Sequence, residues 1–231
     1  MTARRRIAVL ASGGGSNLQA IIDHLAALGE RRGGDVVVVA AGKETAGALE
    51  RARRAGIATA ACAPGALGTL LDEHRADLVV LAGYLSLVPE EVTTRWAGRM
   101  LNVHPALLPA FGGHGLYGAR VHRAVIESGA RVSGVTVHFV DAHYDRGPIV
   151  AQWPVPVLAG DDEHSLAARV LKIEHLLYPR VVDAVARGAI ALDAGGRVRG
   201  AFDAPVDAPA FTITAAGEAA IAEQIDALLR S

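Results

Sequence analysis

Short, largely apolar runs alternate with amphipathic stretches along most of this chain. Ile7–Ala11, Val36–Ala41, Ile57–Ala61 and Leu78–Ala82 predict buried strands, since they present no consistently polar face to water. Leu18–Leu28, Ala46–Ala55 and Gly65–His74 predict the helices between them. Such alternation is the pattern of a parallel sheet with right-handed crossovers. Further strands are expected near Met100–Val103 and Val132–Val140, then an extended stretch Ile149–Val157. Its Pro154 and Pro156 suit an edge strand, where a missing N–H leaves no ladder partner unsatisfied. A long helix is expected over Asp162–Arg187, capped by Asp161 or Asp162. Beyond Gly188 the pattern weakens around Pro205 and Pro209, and Ala215–Leu229 reads as a terminal amphipathic helix. The expected architecture is α/β: a mostly parallel twisted sheet of about seven strands with helices on both faces. One domain is expected over 1–231, with a Rossmann-like half over 1–100, a second half over 101–190 and a peripheral tail over 191–231.

Composition narrows the function classes. Hydrophobic residues are 51% of the chain but aromatics only 4%, so Ala, Val, Leu and Ile must fill the core. A formal net charge of −1 gives no long-range field to gather nucleic acid or an anionic membrane. Arg4-Arg5-Arg6 precedes an apolar stretch, but Ile7–Ala11 stops at once in Ser12-Gly13-Gly14, too short for a signal sequence. Val36–Ala41 is far below membrane-spanning length. The single Cys62 forms no internal disulfide and suits a reducing compartment. The expectation is a soluble cytoplasmic protein without nucleic-acid or membrane partners.

Candidate chemistry begins where strand Ile7–Ala11 runs into Ser12-Gly13-Gly14-Gly15-Ser16-Asn17 and a helix. Glycines allow a tight turn and close ligand approach, and a helix N-terminus offers free N–H groups and the positive end of its dipole. A dinucleotide fingerprint would need glycine where Leu18 stands, and no acid ends the second strand, although Glu44 is near. A Walker loop would need Gly-Lys-Ser/Thr, which is absent. A monophosphate site and a ligand-free turn remain.

A second stretch is Leu101-Asn102-Val103-His104-Pro105. Alternate strand residues share a face, so Asn102 and His104 point together near the strand's carboxyl end, where open α/β sheets bind ligands. An amide donor beside an imidazole can stabilise an oxyanion; a polar pair satisfied by backbone is the plainer alternative. A third is the loop Asp141-Ala142-His143-Tyr144-Asp145-Arg146-Gly147-Pro148. It is an ordinary turn unless it faces the pair, in which case Asp145 can hold His104 charged or take a proton through water. The nine histidines raise a metal question, but His122, His138 and His143 lack a zinc spacing, and no metal is expected.

Taken in order, Ser12–Ala20 (SGGGSNLQA), Leu101–Pro109 (LNVHPALLP), Val135–Pro148 (VTVHFVDAHYDRGP) and Arg169–Pro179 (RVLKIEHLLYP) resemble the folate-dependent glycinamide ribonucleotide formyltransferase family, over about Ile7 to Arg187. The resemblance implies formyl transfer from 10-formyltetrahydrofolate to the amino group of glycinamide ribonucleotide, a step of purine biosynthesis, without a covalent enzyme intermediate or a metal. It implies Asn102, His104 and Asp145 as the catalytic trio. Gly14, Gly15, Ser16 and Asn17 would hold the substrate phosphate, and Glu174 its ribose. Tyr84, Leu85, Ser86, Leu87, Val88, Val140, Asp141 and Tyr144 would enclose the folate. A homodimer is one assembly it allows.

Three features depart from the resemblance. Leu85-Ser86 stands where familiar members carry Met-Arg, Leu171 where they carry Gln or Lys, and Phe111–Ala119 (FGGHGLYGA) is longer than the common loop. Formyltetrahydrofolate hydrolase, methionyl-tRNA formyltransferase and amino-sugar formyltransferases share the Asn-x-His and Asp elements. The hydrolase is expected to carry an extra N-terminal domain, and the tRNA enzyme a C-terminal nucleic-acid-binding domain. Both lack the Gly-Gly-Gly-Ser-Asn loop. A non-catalytic nucleotide- or folate-binding protein would be expected to have a broken trio, whereas all three residues are present here.

Overall fold

A computed structural model describes residues 3–202 of the chain. Seven strands form one sheet: β1 (Arg5–Leu10), β2 (Gly34–Ala41), β3 (Ala58–Ala61), β4 (Leu78–Leu81), β5 (Met100–His104), β6 (Val132–Phe139) and β7 (Ile149–Pro156). Their spatial order is β3-β2-β1-β4-β5-β6-β7. The first five are mutually parallel, β6 pairs antiparallel with β5, and β7 pairs antiparallel with β6. Every residue of β4 and the last four of β1 are buried, as continuous apolar runs require at the centre of a sheet covered on both faces. β7 lies at the edge, where its two prolines interrupt no further ladder.

Helices α1 (Ser16–Leu28), α2 (Gly47–Arg54), α3 (Leu67–Glu73), α4 (Glu90–Arg95), α5 (Ala119–Glu127) and α6 (Glu163–Ala186) connect and cover the strands. Two apolar clusters result, one on each side of the sheet: Ile7, Val9, Leu18 and Tyr178 belong to one, and Ala8, Leu10, Leu71 and Trp96 to the other. This division follows from strand alternation, which sends successive β1 side chains to opposite faces. Asp162 caps α6, accepting from the N–H groups of His164 at 3.0 Å and Ser165 at 2.7 Å. Asp161, the other candidate, instead pairs with Arg169 at 2.6 Å.

The sequence pattern did not predict α4 or a short hairpin of β8 (Ile190–Leu192) and β9 (Val198–Gly200). The expected helix Ala215–Leu229 lies outside the described residues, as do Pro205 and Pro209. No helix among the described residues is long and apolar enough to cross a membrane.

One buried contact fixes the sheet beneath the site. Tyr178 on α6 is fully buried, and its hydroxyl points at the carbonyl oxygens of Leu81, at 2.9 Å, and Leu101, at 3.1 Å. It joins the helix to the carboxyl end of β4 and to the second residue of β5. Tyr178→Phe should cost about 1–3 kcal/mol, because the deletion leaves buried acceptors facing an apolar ring. Urea unfolding checks this; an unchanged midpoint would mean those carbonyls find other partners.

Candidate active site

Between β1 and β4 the strand order reverses direction, opening a crevice at the carboxyl ends of the strands. The loops leaving these strands are tied together there: Ser12 N–H donates to Gly83 O at 3.1 Å, and Leu85 N–H to Ser12 Oγ at 2.9 Å. Below them α1 begins with Gly15 at φ +75° and no side-chain cap, so its first-turn N–H groups stay free for an anion.

The three glycines of this loop are not equivalent. A Cβ on Gly13 or Gly14 would meet open space, whereas one on Gly15 would sit 2.7 Å from Ala48 Cα, on a backbone that disfavours L side chains. Gly15→Ala should therefore raise the Michaelis constant for a phosphorylated substrate about tenfold, by strain of 1–2 kcal/mol in the loop. Gly13→Ala should leave it within about twofold, as expected where no strain arises. Equal effects of the two, read by steady-state kinetics, would remove the phosphate from this loop.

Asn17 follows at the base of the crevice. Its Nδ2 donates to Glu174 Oε2 on α6 at 2.6 Å, while its buried Oδ1 has no partner among the described residues. Glu174 is 7% exposed, and burial pushes its carboxyl above the usual range against the pull of Asn17. The pair offers the free Asn17 Oδ1 and the neighbouring Glu174 carboxyl to a polyhydroxylated ligand.

Asn102 and His104 occupy the end of β5, as alternation predicted. The turn after them is held by Thr136, whose hydroxyl donates to Ala106 O at 2.7 Å and accepts from Leu108 N–H at 3.0 Å. Antiparallel pairing sets Asn102 opposite His138 and His104 opposite Thr136. His138 Nδ1 donates to Phe139 O at 2.8 Å, so in the neutral ring Nε2 carries the lone pair and accepts from Asn102 Nδ2 at 3.1 Å. This fixes the Asn102 amide with one N–H on His138 and the second free.

Asp145 enters from the loop after β6, at φ +55°, a conformation Asp tolerates better than most residues. Its Oδ2 is 3.6 Å from His104 Nδ1 and accepts from Gly113 N–H at 2.9 Å; its Oδ1 is 3.6 Å from His138 Nε2. Burial opposes its ionisation, but His138, His104 and the Gly113 N–H together hold the carboxyl below the usual range. His104 is 3% exposed, and its Nε2–H donates to Phe111 O at 2.9 Å, leaving Nδ1 facing Asp145. Burial lowers its pKa, and Asp145 and the Phe111 carbonyl pull it back only in part. At 3.6 Å Asp145 stands just beyond hydrogen-bond reach of His104, and desolvation opposes the charge that the carboxylate favours.

These groups line one cavity of about 620 Å³. Asn17, Asn102, His104, Asp145 and Glu174 all contribute, as do Tyr84, Leu85, Ser86, Leu87, Val88, Val140, Asp141 and Tyr144, the whole set expected to enclose a folate. Gly14, Gly15 and Ser16 do not line it; they form the loop end and first residue of α1 that lead to Asn17. Sequence reasoning weighed His138 and His122 only as metal ligands. Here His138 orients Asn102, and His122 on α5 lines the cavity, its pKa lowered to about 4 by burial and the nearby His104. The signal for His138 was its even spacing from Thr136 on β6, usable only once β6 is known to pair antiparallel with β5.

The family model for formyl transferases matches residues 5–182. Phosphoribosylglycinamide formyltransferase of Escherichia coli (strain K12) is 41% identical over 194 residues, which cover 80% of this chain and 88% of that protein. The chain belongs to the phosphoribosylglycinamide formyltransferase family. Another member of this formyltransferase family, the chloroplastic protein of Vigna unguiculata, is 47% identical over 79% of this chain. The chain spans 61% of that plant relative's length. The solved glycinamide ribonucleotide transformylase 1 of Symbiobacterium toebii superposes with a TM-score of 0.77 at 42% identity, covering 85% of this chain and 93% of that one. The formyltransferase sheet and its helices are therefore the fold of this chain.

Proposed function

We propose that the chain transfers the formyl group of 10-formyltetrahydrofolate to the amino group of glycinamide ribonucleotide. The observation that carries the reading is the convergence of Asn102, His104 and Asp145 on one cavity that also reaches Asn17 and Glu174. The relatives bear the name of this activity, and the chemistry of the cavity suits both reactants. Its apolar wall from Tyr84 to Val88 fits a flat aromatic donor, and the Gly15–Asn17 helix start fits a phosphate.

This reading gives each residue a role. With the formyl carbon beside the trio, the free N–H of Asn102 receives the oxygen that becomes negative as the amine attacks. That growing charge favours the His104 cation, since the oxyanion and Asp145 together offset the burial that holds it neutral at rest. The proton leaving the attacking nitrogen resides on His104 Nδ1, beside the Asp145 carboxylate. It passes to N10 of the folate as the carbon–N10 bond breaks and the formyl C=O re-forms. No side chain forms a covalent bond.

Nothing in this scheme uses a metal, a nucleic acid or a membrane, and the free Cys62 suits the reducing cytoplasm. The test is release of deformylated folate from a 10-formylfolate donor by purified protein, with and without glycinamide ribonucleotide. Release that depends on the ribonucleotide and yields its formyl derivative is the expected result. Release without an acceptor would replace the reading by hydrolysis, and none under either condition would overturn it.

A further inference from the structure

Beyond the trio, the cavity mouth carries apolar groups left open to solvent. Leu85 is 54% exposed and Tyr117 43%, and Tyr144 packs edge-on against His114, with ring centroids 5.8 Å apart. Arg120, in the first turn of α5, lines the same cavity, and its guanidinium lies over the Tyr117 ring at 5.0 Å from the centroid. Among the described residues it is the single Arg or Lys lining the cavity. Its neighbour Arg123 is paired with Glu163 at 2.7 Å, and Arg120 has no such partner among the described residues. Glu163, the acid on this side of the mouth, is therefore already neutralised.

A 10-formylated folate carries its pterin on one side of N10 and a benzoyl group ending in glutamate on the other. With the formyl carbon at Asn102 and the pterin against Leu81–Val88, the benzoyl group and its glutamate point outward. We infer that Arg120, steadied on Tyr117, binds a glutamate carboxylate of the folate donor and makes the protein prefer glutamate-bearing donors. The inference rests on the reading under Proposed function. A guanidinium held by stacking loses less freedom on pairing with a carboxylate than a free one, and its planar fork matches that anion. Ser86, where familiar relatives have arginine, supplies no cation to the cavity, so Arg120 carries this contact from the long loop-to-helix segment.

Formyl transfer to glycinamide ribonucleotide from 10-formyltetrahydrofolate and from 10-formyltetrahydropteroate, which lacks the glutamate, tests this. Arg120→Gln should raise the Michaelis constant for the glutamate-bearing donor about 3- to 10-fold at low salt, as for one partly exposed charge-assisted pair. The constant for the pteroate donor and kcat with either donor should change by less than about twofold, because the contact is the same in ground and transition states. Arg120→Lys should recover part of the preference, and salt should erode it in the wild type and not in Arg120→Gln. Equal effects on both donors, or none, would overturn the inference while leaving the formyl-transfer reading intact. If the wild type transfers no formyl group, that reading falls. Equilibrium binding of tetrahydrofolate against tetrahydropteroate then decides for Arg120: a glutamate preference lost in Arg120→Gln supports it, and its absence refutes it.

Discussion

Asn102→Ala should lower kcat by about 10²- to 10³-fold, the usual loss on deleting one preorganised oxyanion donor. The Michaelis constants for both substrates should change little, because the free N–H meets its full partner only when the formyl oxygen turns negative. The effect is large because Asn102 does not wander. Its other N–H is fixed on His138 Nε2 at 3.1 Å, and His138 is fixed in turn on the Phe139 carbonyl. The catalytic donor therefore needs no reorganisation as charge develops. Asn102→Asp should be worse than alanine, since it sets a carboxylate where an oxyanion forms, close to Asp145. Steady-state kinetics on folded variants decides: a kcat within tenfold of the wild type for alanine would place the oxyanion contact elsewhere.

How far such a site could be read beforehand depends on the range of each signal. The strands were legible because burial on both faces demands uninterrupted apolar runs, and Leu78–Leu81 or Val36–Ala41 can be little else. Helix Glu90–Arg95 was not, because six residues of which five are charged or hydroxyl-bearing show no amphipathic period. The β8–β9 hairpin is similarly short and mostly exposed. Within the site, the facing of Asn102 and His104 follows from strand alternation alone. The role of His138 does not, since it depends on β6 reversing direction next to β5, a long-range pairing invisible in local pattern. The sequence alone does not rank the three glycines of the loop. Only the contact with Ala48 singles out Gly15, and that contact joins segments more than thirty residues apart. The protonation of His104 is a long-range matter too, since it balances burial against a carboxylate brought in by a distant loop.

Asp145→Asn tests that last point directly. Asparagine preserves the shape and can still accept from Gly113 N–H, but it removes the charge that stabilises the His104 cation during proton transfer. We expect kcat to fall by about 10²- to 10⁴-fold, the range for loss of a positioned proton-transfer partner. The pH dependence of stability should change as well, with a definite sign. The folded-state pKa of Asp145 is depressed, because His138, His104 and the Gly113 N–H outweigh the burial cost. Its carboxylate therefore contributes stability that is present above the unfolded value of about 4 and is lost as pH falls through the lower folded value. The variant lacks this term at every pH. The stability difference between wild type and Asp145→Asn should accordingly be constant near neutrality and shrink on acidification below about pH 4. Urea unfolding at pH 7 and at successively lower pH reads it. A difference that grows in acid would mean that the carboxyl is protonated at rest, so that Asp145 could not serve as the counter-charge to His104.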